Sequence, residues 1–364
     1  MRPRMGIKER TKSMANDISV SQDSNDVPML SCQGIWKVFG ARKAQFEQSG
    51  GSNMSDEELL ARGWTAAVRD ATFDVARGEV FVIMGLSGSG KSTVVRCLSR
   101  LIEPTSGQVY VEGQDLLATN EAQLLDIRRR KMGMVFQHFA LLPNRDVLGN
   151  VAFPLQVQGV ERVKREERAR EMISLVGLEG REKFFPNELS GGQQQRVGIA
   201  RSLASDPAIW FLDEPFSALD PLIRADLQDE LLRLQEQLQK TTVFITHDLD
   251  ESIKIADRIA IMDQGRIVQI GSPEDLVLNP ANEYVARFVK NVPRSKVVRV
   301  SSIMRNATGA DSVGDWVVNA NDRLAEVAPR IGESTQPIAI QDDNGVTVGY
   351  IDRDKFVRVL AGVS

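Results

Sequence analysis

Residues 85–93 read GLSGSGKST, and Gly85 to Ser92 follow the spacing G-x-x-x-x-G-K-S. Gly85, Leu86, Ser87, Gly88, Ser89 and Gly90 form a loop whose glycines let the backbone curl, so that successive N–H groups point at phosphate oxygens. Lys91 is placed to reach β- and γ-phosphates, and the Ser92 hydroxyl to ligate Mg²⁺. Thr93 continues into a run with Val94, Val95, Leu98, Leu101 and Ile102 at helical spacing. The helix start behind the loop adds a favourable dipole for an anion. The expected ligand is a nucleotide's phosphates with Mg²⁺.

Three further stretches end in residues suited to the same chemistry. AIWFLDEP carries Asp213 at the end of an apolar run and Glu214 directly after it. Asp213 is placed to hold Mg²⁺ and Glu214 to polarise a water for attack on the γ-phosphate. TVFIT runs into His247, which could touch the γ-phosphate and orient that water. Gln137, in MGMVFQHFALLP, could ligate the metal or position water. Taken singly, each reads more simply as a solvated polar residue at a strand end or in a loop.

These residues need a frame. VFVIM (80–84), AIWFL (208–212) and TVFIT (242–246) are short continuous apolar runs, the pattern of strands buried on both faces of a parallel sheet. Such a sheet presents its strand ends along one edge. Between the runs, residues 222–239 place Leu227, Leu231, Leu234 and Leu238 on one helical face. Residues 258–271 read as a hairpin turning near Asp263-Gln264-Gly265, and Ser272-Pro273-Glu274-Asp275 as a helix start. The fold class is α/β.

The order of motifs is informative. The phosphate loop is followed by Gln137, by LSGGQ (189–193), by the Asp213-Glu214 strand, by SALD (217–220) and by the His247 strand. In this order the chain resembles the ATP-binding-cassette (ABC) family over about residues 30–290. The resemblance implies a P-loop NTPase cassette, a mainly parallel core sheet plus a helical subdomain at about 138–200. It makes Gln137 the Q-loop residue and a metal ligand beside Ser92 and Asp213. It makes Ser190, Gly191, Gly192 and Gln193 the signature, Asp220 the D-loop acid and His247 the switch histidine. Phe39, in WKVFG, matches the aromatic that stacks on adenine, although many relatives use Tyr.

In that family the signature faces ATP bound by another cassette. One set of motifs in this chain therefore implies a second copy, head to tail. Runs such as LIEPTSGQV and FSALDPLIR are similar to the ATPase subunit of glycine betaine, proline and choline importers. That likeness implies a membrane permease as partner, a substrate-binding protein acting indirectly, and a place at the cytoplasmic face of the inner membrane. In LLPNRDVL (141–148), Asn144 stands where such relatives usually carry His, near the family's permease contact. The alternative is a soluble, non-transport ABC ATPase. Translation-factor types carry two cassettes per chain, and repair types a long coiled coil between phosphate loop and signature; neither pattern is present.

The rest of the chain sets bounds. The 364 residues suit one large domain with an appendage, and a net charge of −4 gives no argument for nucleic acid. Two cysteines, Cys32 and Cys97, are too few for a disulfide framework. Residues 1–28 read as a disordered tail, and no apolar run approaches a membrane span. Within the cassette, 29–290, residues 41–69 read as a helical insertion with a capping box at Ser55 to Glu58. Residues 291–364 begin with a linker, NVPRSKVV, and continue as a small α/β unit resembling one CBS motif, a ligand- or ion-sensing module. A single CBS motif normally pairs, so the resemblance implies contact between the tails of two copies.

Overall fold

The computed structural model describes residues 27–306 and 316–361, so the expected N-terminal tail lies outside the described residues apart from its last two. In chain order the first elements are β1 (Leu30–Phe39), α1 (Lys43–Gln48), α2 (Asp56–Ala61), β2 (Thr65–Val75), β3 (Val80–Met84) and α3 (Lys91–Leu98). Next come β4 (Ser106–Val111), β5 (Gln114–Asp115), α4 (Glu121–Lys131), β6 (Met132–Val135), α5 (Val147–Val157), α6 (Arg162–Leu175) and α7 (Gly191–Ala204). The cassette closes with β7 (Ile209–Asp213), α8 (Pro221–Leu238), β8 (Thr241–Thr246), α9 (Leu249–Ile255), β9 (Arg258–Asp263), β10 (Arg266–Gly271), α10 (Pro273–Leu278) and α11 (Glu283–Val289).

The central sheet has the order β10-β9-β3-β8-β7-β6 and is parallel except for β10. Strands β3, β7 and β8 are buried on both faces, as their unbroken apolar runs require. Val80, Val82 and Met84 of β3 join Trp210 and Leu212 of β7 and Phe244 of β8 in one core, on the side of α5 to α9. Phe81, Ile83, Phe211, Val243 and Ile245 point the other way, into a core with Val94, Val95 and Leu98 of α3 and the inner face of a second sheet. Each fully buried Phe or Leu contributes about 1.5–3 kcal/mol. That second, four-stranded sheet, β2-β1-β4-β5, is antiparallel.

The expected insertion is helical but shorter than residues 41–69. Strand β2 already begins at Thr65, because the alternation in TAAVRDATFDV pairs it with β1, Thr65 opposite Phe39. Ser55 caps α2 and forms the predicted box with Glu58. Phe46 and Leu59 pack with Trp36 and Trp64 into a small core of their own, the Phe46 ring 5.5 Å from that of Trp36. Cys32 and Cys97 are free and buried; burial pushes both thiols above their ordinary value, Cys97 to about 12.

The segment read as a linker is packed. It holds α12 (Arg294–Val297), and Val292, Val297, Val298 and Val300 are buried with Leu276 and Val277 of α10. Beyond it, β11 (Arg305–Asn306), β12 (Val317–Asn319), α13 (Leu324–Glu333), β13 (Ile338–Gln341), β14 (Thr347–Ile351) and α14 (Arg353–Leu360) form the C-terminal unit. Its sheet order is β11-β14-β13-β12, with Leu324, Val327 and Ile331 of α13 buried as their spacing predicts. Its core is continuous with that of the cassette. Among the described residues, no helix is long and apolar enough to cross a membrane.

Candidate functional site

Strand register brings the predicted residues to one edge. Val135 pairs with Leu212, Asp213 with Ile245, and Thr246 with Met84. The loops that leave β6, β7, β8 and β3 therefore start side by side, and they carry Gln137, Glu214, His247 and the phosphate loop.

The loop after β3 is tightly held. Gly90 caps α3 at φ +104°, and a Cβ there would collide with the Ala67 carbonyl oxygen of β2. The Gly265 N–H of the β9–β10 turn donates to the Ser89 carbonyl at 3.0 Å. Lys91 lies inside the loop, its Nζ donating to the Gly85 and Leu86 carbonyls at 2.9 and 3.0 Å. Its Nζ is 3.8 Å from Glu214 Oε1. Burial pulls the Lys91 pKa below its ordinary value, against the attraction of Glu214 and Asp213. The Ser89 hydroxyl is buried and has no partner among the described residues. A buried polar group left unpaired costs about 1–3 kcal/mol, so a phosphate oxygen accepting from Ser89 and drawing Lys91 off its carbonyls fits the cradle.

Asp213 and Glu214 are adjacent and point differently. Ser92 Oγ donates to Asp213 Oδ1 at 2.8 Å, bringing two hard oxygen donors together in a way that suits Mg²⁺. Burial pushes the Asp213 carboxyl above its ordinary value, opposed by the Ser92 hydroxyl and by Arg96, whose Nη2 lies 3.9 Å from Oδ2. Glu214 has φ +45°, a left-handed conformation that costs a non-glycine residue on the order of 1 kcal/mol. Its N–H still bonds the Ile245 carbonyl at 3.0 Å, so the kink redirects the side chain while the strand stays paired. The Glu214 carboxylate ends 3.3 Å from His247 Nδ1. Gln137 is half-buried in the turn after β6, and Phe39 is exposed at the end of β1, beside Thr65 of β2.

The signature stands apart from these residues. Ser190 caps α7: its Oγ accepts from Gln193 N at 3.3 Å, and Gln193 Oε1 accepts from Ser190 N at 3.0 Å. Ser190 and Gly191 are exposed, and among the described residues no hydrogen bond or ion pair joins the signature to the phosphate loop. Asp220 caps α8, accepting from Ile223 N at 3.1 Å, and is exposed too. Leu219 packs near Gly191, so the segment before Asp220 and the signature share a surface. A helix start with free N–H groups, turned to solvent, suits an anion brought by another molecule.

Comparison with known proteins accounts for this arrangement. Residues 68–217 match the family described as ABC transporter. The chain is 50% identical over 333 residues to the trimethylamine N-oxide transport system ATP-binding protein of Pelagibacter ubique, covering 92% of this chain and 97% of that one. The chain belongs to the ABC transporter family. As an ABC ATPase it binds and hydrolyses ATP. It is also 48% identical over 334 residues to the glycine betaine/proline betaine transport system ATP-binding protein of Salmonella typhimurium, covering 91% of this chain and 80% of that one. Among solved structures, a dimeric ATP-binding cassette in a post-hydrolysis state with ADP and Pi superposes with a TM-score of 0.57 at 32% identity. That match covers 67% of this chain and 99% of the other.

Two polar contacts of this ABC site carry no sequence signature of their own. Arg96 reaches Asp213 from the exposed side of α3. Arg224, one turn into α8, lies 3.8 Å from Asp248 beside the histidine.

Proposed function

We propose that this chain is the ATP-hydrolysing subunit of an importer for a quaternary amine or related osmoprotectant of the glycine betaine, proline or choline class. The observation that carries this reading is the convergence of Lys91, Ser92, Asp213, Glu214 and His247 on one sheet edge. Near-full-length identity to transport ATP-binding proteins supports the solute class. The solutes in those proteins' names include trimethylamine N-oxide and betaines, which share a fully substituted, methylated nitrogen. A separate permease and binding protein would contact the solute, and the chain would sit at the cytoplasmic face of the inner membrane.

Gly85 to Thr93 hold the phosphates and Phe39 stacks on adenine. Ser92, Asp213 and Gln137 would hold Mg²⁺, which would supply positive charge against the phosphate oxygens. Glu214 takes the proton of the attacking water while His247 holds it against the γ-phosphate. Ser190, Gly191, Gly192 and Gln193, with Asp220 nearby, face the ATP of a second copy. Closure of the two copies moves the permease and hydrolysis reopens them. Residues 29–290 form the cassette, and 291–364 a CBS-like regulatory unit that pairs with its counterpart. The sheet-and-helix order of that unit supports this, and its shared core gives it a path to the cassette.

Lys91→Ala is expected to weaken ATP binding at least about tenfold, because a charge-assisted phosphate contact is lost. Titration with a fluorescent ATP analogue measures it, and unchanged affinity would remove Lys91 from the phosphate site. The transport reading is tested in proteoliposomes holding the chain with its permease and binding protein. ATP-dependent uptake of labelled glycine betaine, choline or trimethylamine N-oxide is expected. ATP hydrolysis without uptake of any of them would contradict the proposed solute class.

A further inference from the structure

One buried carboxyl next to the site has no role in the steps above. Glu251, in the first turn of α9, is 5% exposed. Gln228 Nε2, from α8, donates to its Oε1 at 3.2 Å. The Thr246 hydroxyl donates to it as well. Thr246 Oγ1 accepts from Asp248 N at 3.0 Å, which leaves its single hydrogen for Glu251. Asp248 in turn accepts from the Glu251 N–H at 3.1 Å and faces Arg224 of α8. Arg224 Nη2 donates to the Leu219 carbonyl at 3.1 Å, just before Asp220. Glu214 and His247 line the same small cavity as Asp248, Arg224 and Glu251. The His247 segment is thus stitched to α8 twice, once through Arg224 and Asp248 and once through a buried carboxyl.

We infer that Glu251 is a positioning residue for ATP hydrolysis: its carboxylate ties Thr246, the residue before His247, to Gln228 of α8 and so sets the pose of His247 against Glu214. The inference rests on the roles given above to Glu214 and His247. Both hydrogen bonds favour the ionised carboxylate, whose two oxygens only accept; a proton on it turns one oxygen into a donor and weakens the tie. The charged and titratable groups that face Glu251 are Arg224 from α8, Asp248 from the loop after β8, and Glu214 and His247 across the cavity. Burial outweighs the hydrogen bonds from Thr246 and Gln228 and raises the carboxyl to about 7. The tie therefore strengthens as pH rises through the neutral range.

The same burial sets the sign of a stability effect. A folded-state pKa above the unfolded one means that the native chain holds the proton more tightly. Stability is then fully present below the unfolded value and is lost as pH rises through about 7. Glu251→Gln, nearly isosteric and unable to ionise, is expected to melt above the parent at pH 8, with the gap closing toward pH 5.

The test is the pH dependence of ATP turnover by the full chain. In Glu251→Gln the rise of kcat near pH 7 should vanish and kcat at pH 8 should fall at least about fivefold, since small misplacements cost large factors. KM for ATP should stay within about twofold of the parent value. A kcat–pH profile that overlays the parent's, or a loss carried by KM alone, would overturn the inference. If that variant fails to fold, Gln228→Leu replaces it. It removes one donor to the ionised form, so the kcat rise should move to higher pH; an unmoved rise overturns the inference equally. The melting gap does not depend on the assignment of Glu214, so its absence counts against Glu251 alone. Near-parental turnover by Glu214→Gln would instead count against the catalytic reading beneath it.

Discussion

Glu214→Gln is expected to bind ATP and to hydrolyse it at least ~100-fold slower than the parent chain. The amide keeps the shape of the side chain and can still meet His247, which lies 3.3 Å from the carboxylate. Its lost capacity is that of taking a proton from water. The backbone supports this reading independently: the chain holds a non-glycine residue at φ +45° at this position, and the kink directs the carboxylate away from Asp213 and toward Lys91 and His247. With the chemical step blocked and binding intact, ATP-bound dimers should accumulate. Phosphate release and size-exclusion chromatography with ATP measure the two effects. Near-parental phosphate release would assign the base elsewhere.

Ser190→Arg is expected to lower hydrolysis by a similar factor, at least ~100-fold, while ATP binding to the single chain stays within about twofold. Ser190 is exposed at the start of α7, where its hydroxyl accepts from the Gln193 N–H. Loss of such a cap costs about 1 kcal/mol, too little to unfold a cassette with two large cores. A large cation at this position would block the helix start from a phosphate presented by another molecule. Parallel measurements of nucleotide affinity and turnover separate that effect from misfolding. A matching loss of affinity would place Ser190 at its own chain's nucleotide.

The candidate edge was legible because the phosphate loop, the Asp213-Glu214 pair and His247 each come directly after a continuous apolar run. VFVIM, AIWFL and TVFIT can only be strands buried on both faces, and such strands deliver the residues at their carboxyl ends to a common edge. The Ser55 cap was legible through its spacing to Glu58. The antiparallel sheet was not. β1, LSCQGIWKVF, shifts register against β2 between Cys32 and Ile35 and again before Lys37, which destroys the two-residue alternation that would reveal it. NVPRSKVV looked like a linker because its valines sit among charges and a proline; they are buried only because α10 offers an apolar face. Contacts such as Gln228 to Glu251 and Arg96 to Asp213 join elements that meet only after the sheet is assembled, so no local pattern records them.

In the proposed arrangement each hydrolytic site is shared between two copies of this chain. Mixing Ser190→Arg chains with Lys91→Ala chains tests it most directly. In a mixed dimer both defects fall on one site, and the other pairs an intact phosphate loop with an intact signature. Two nearly inactive preparations should therefore gain ATPase activity when combined. The gain should peak near equal amounts at about a quarter of the parental rate, if exchange is random and sites act independently. Fluorescence exchange between labelled chains shows that mixed dimers have formed. Mixed dimers without any recovery of ATPase, at any ratio, would contradict a site divided between two copies.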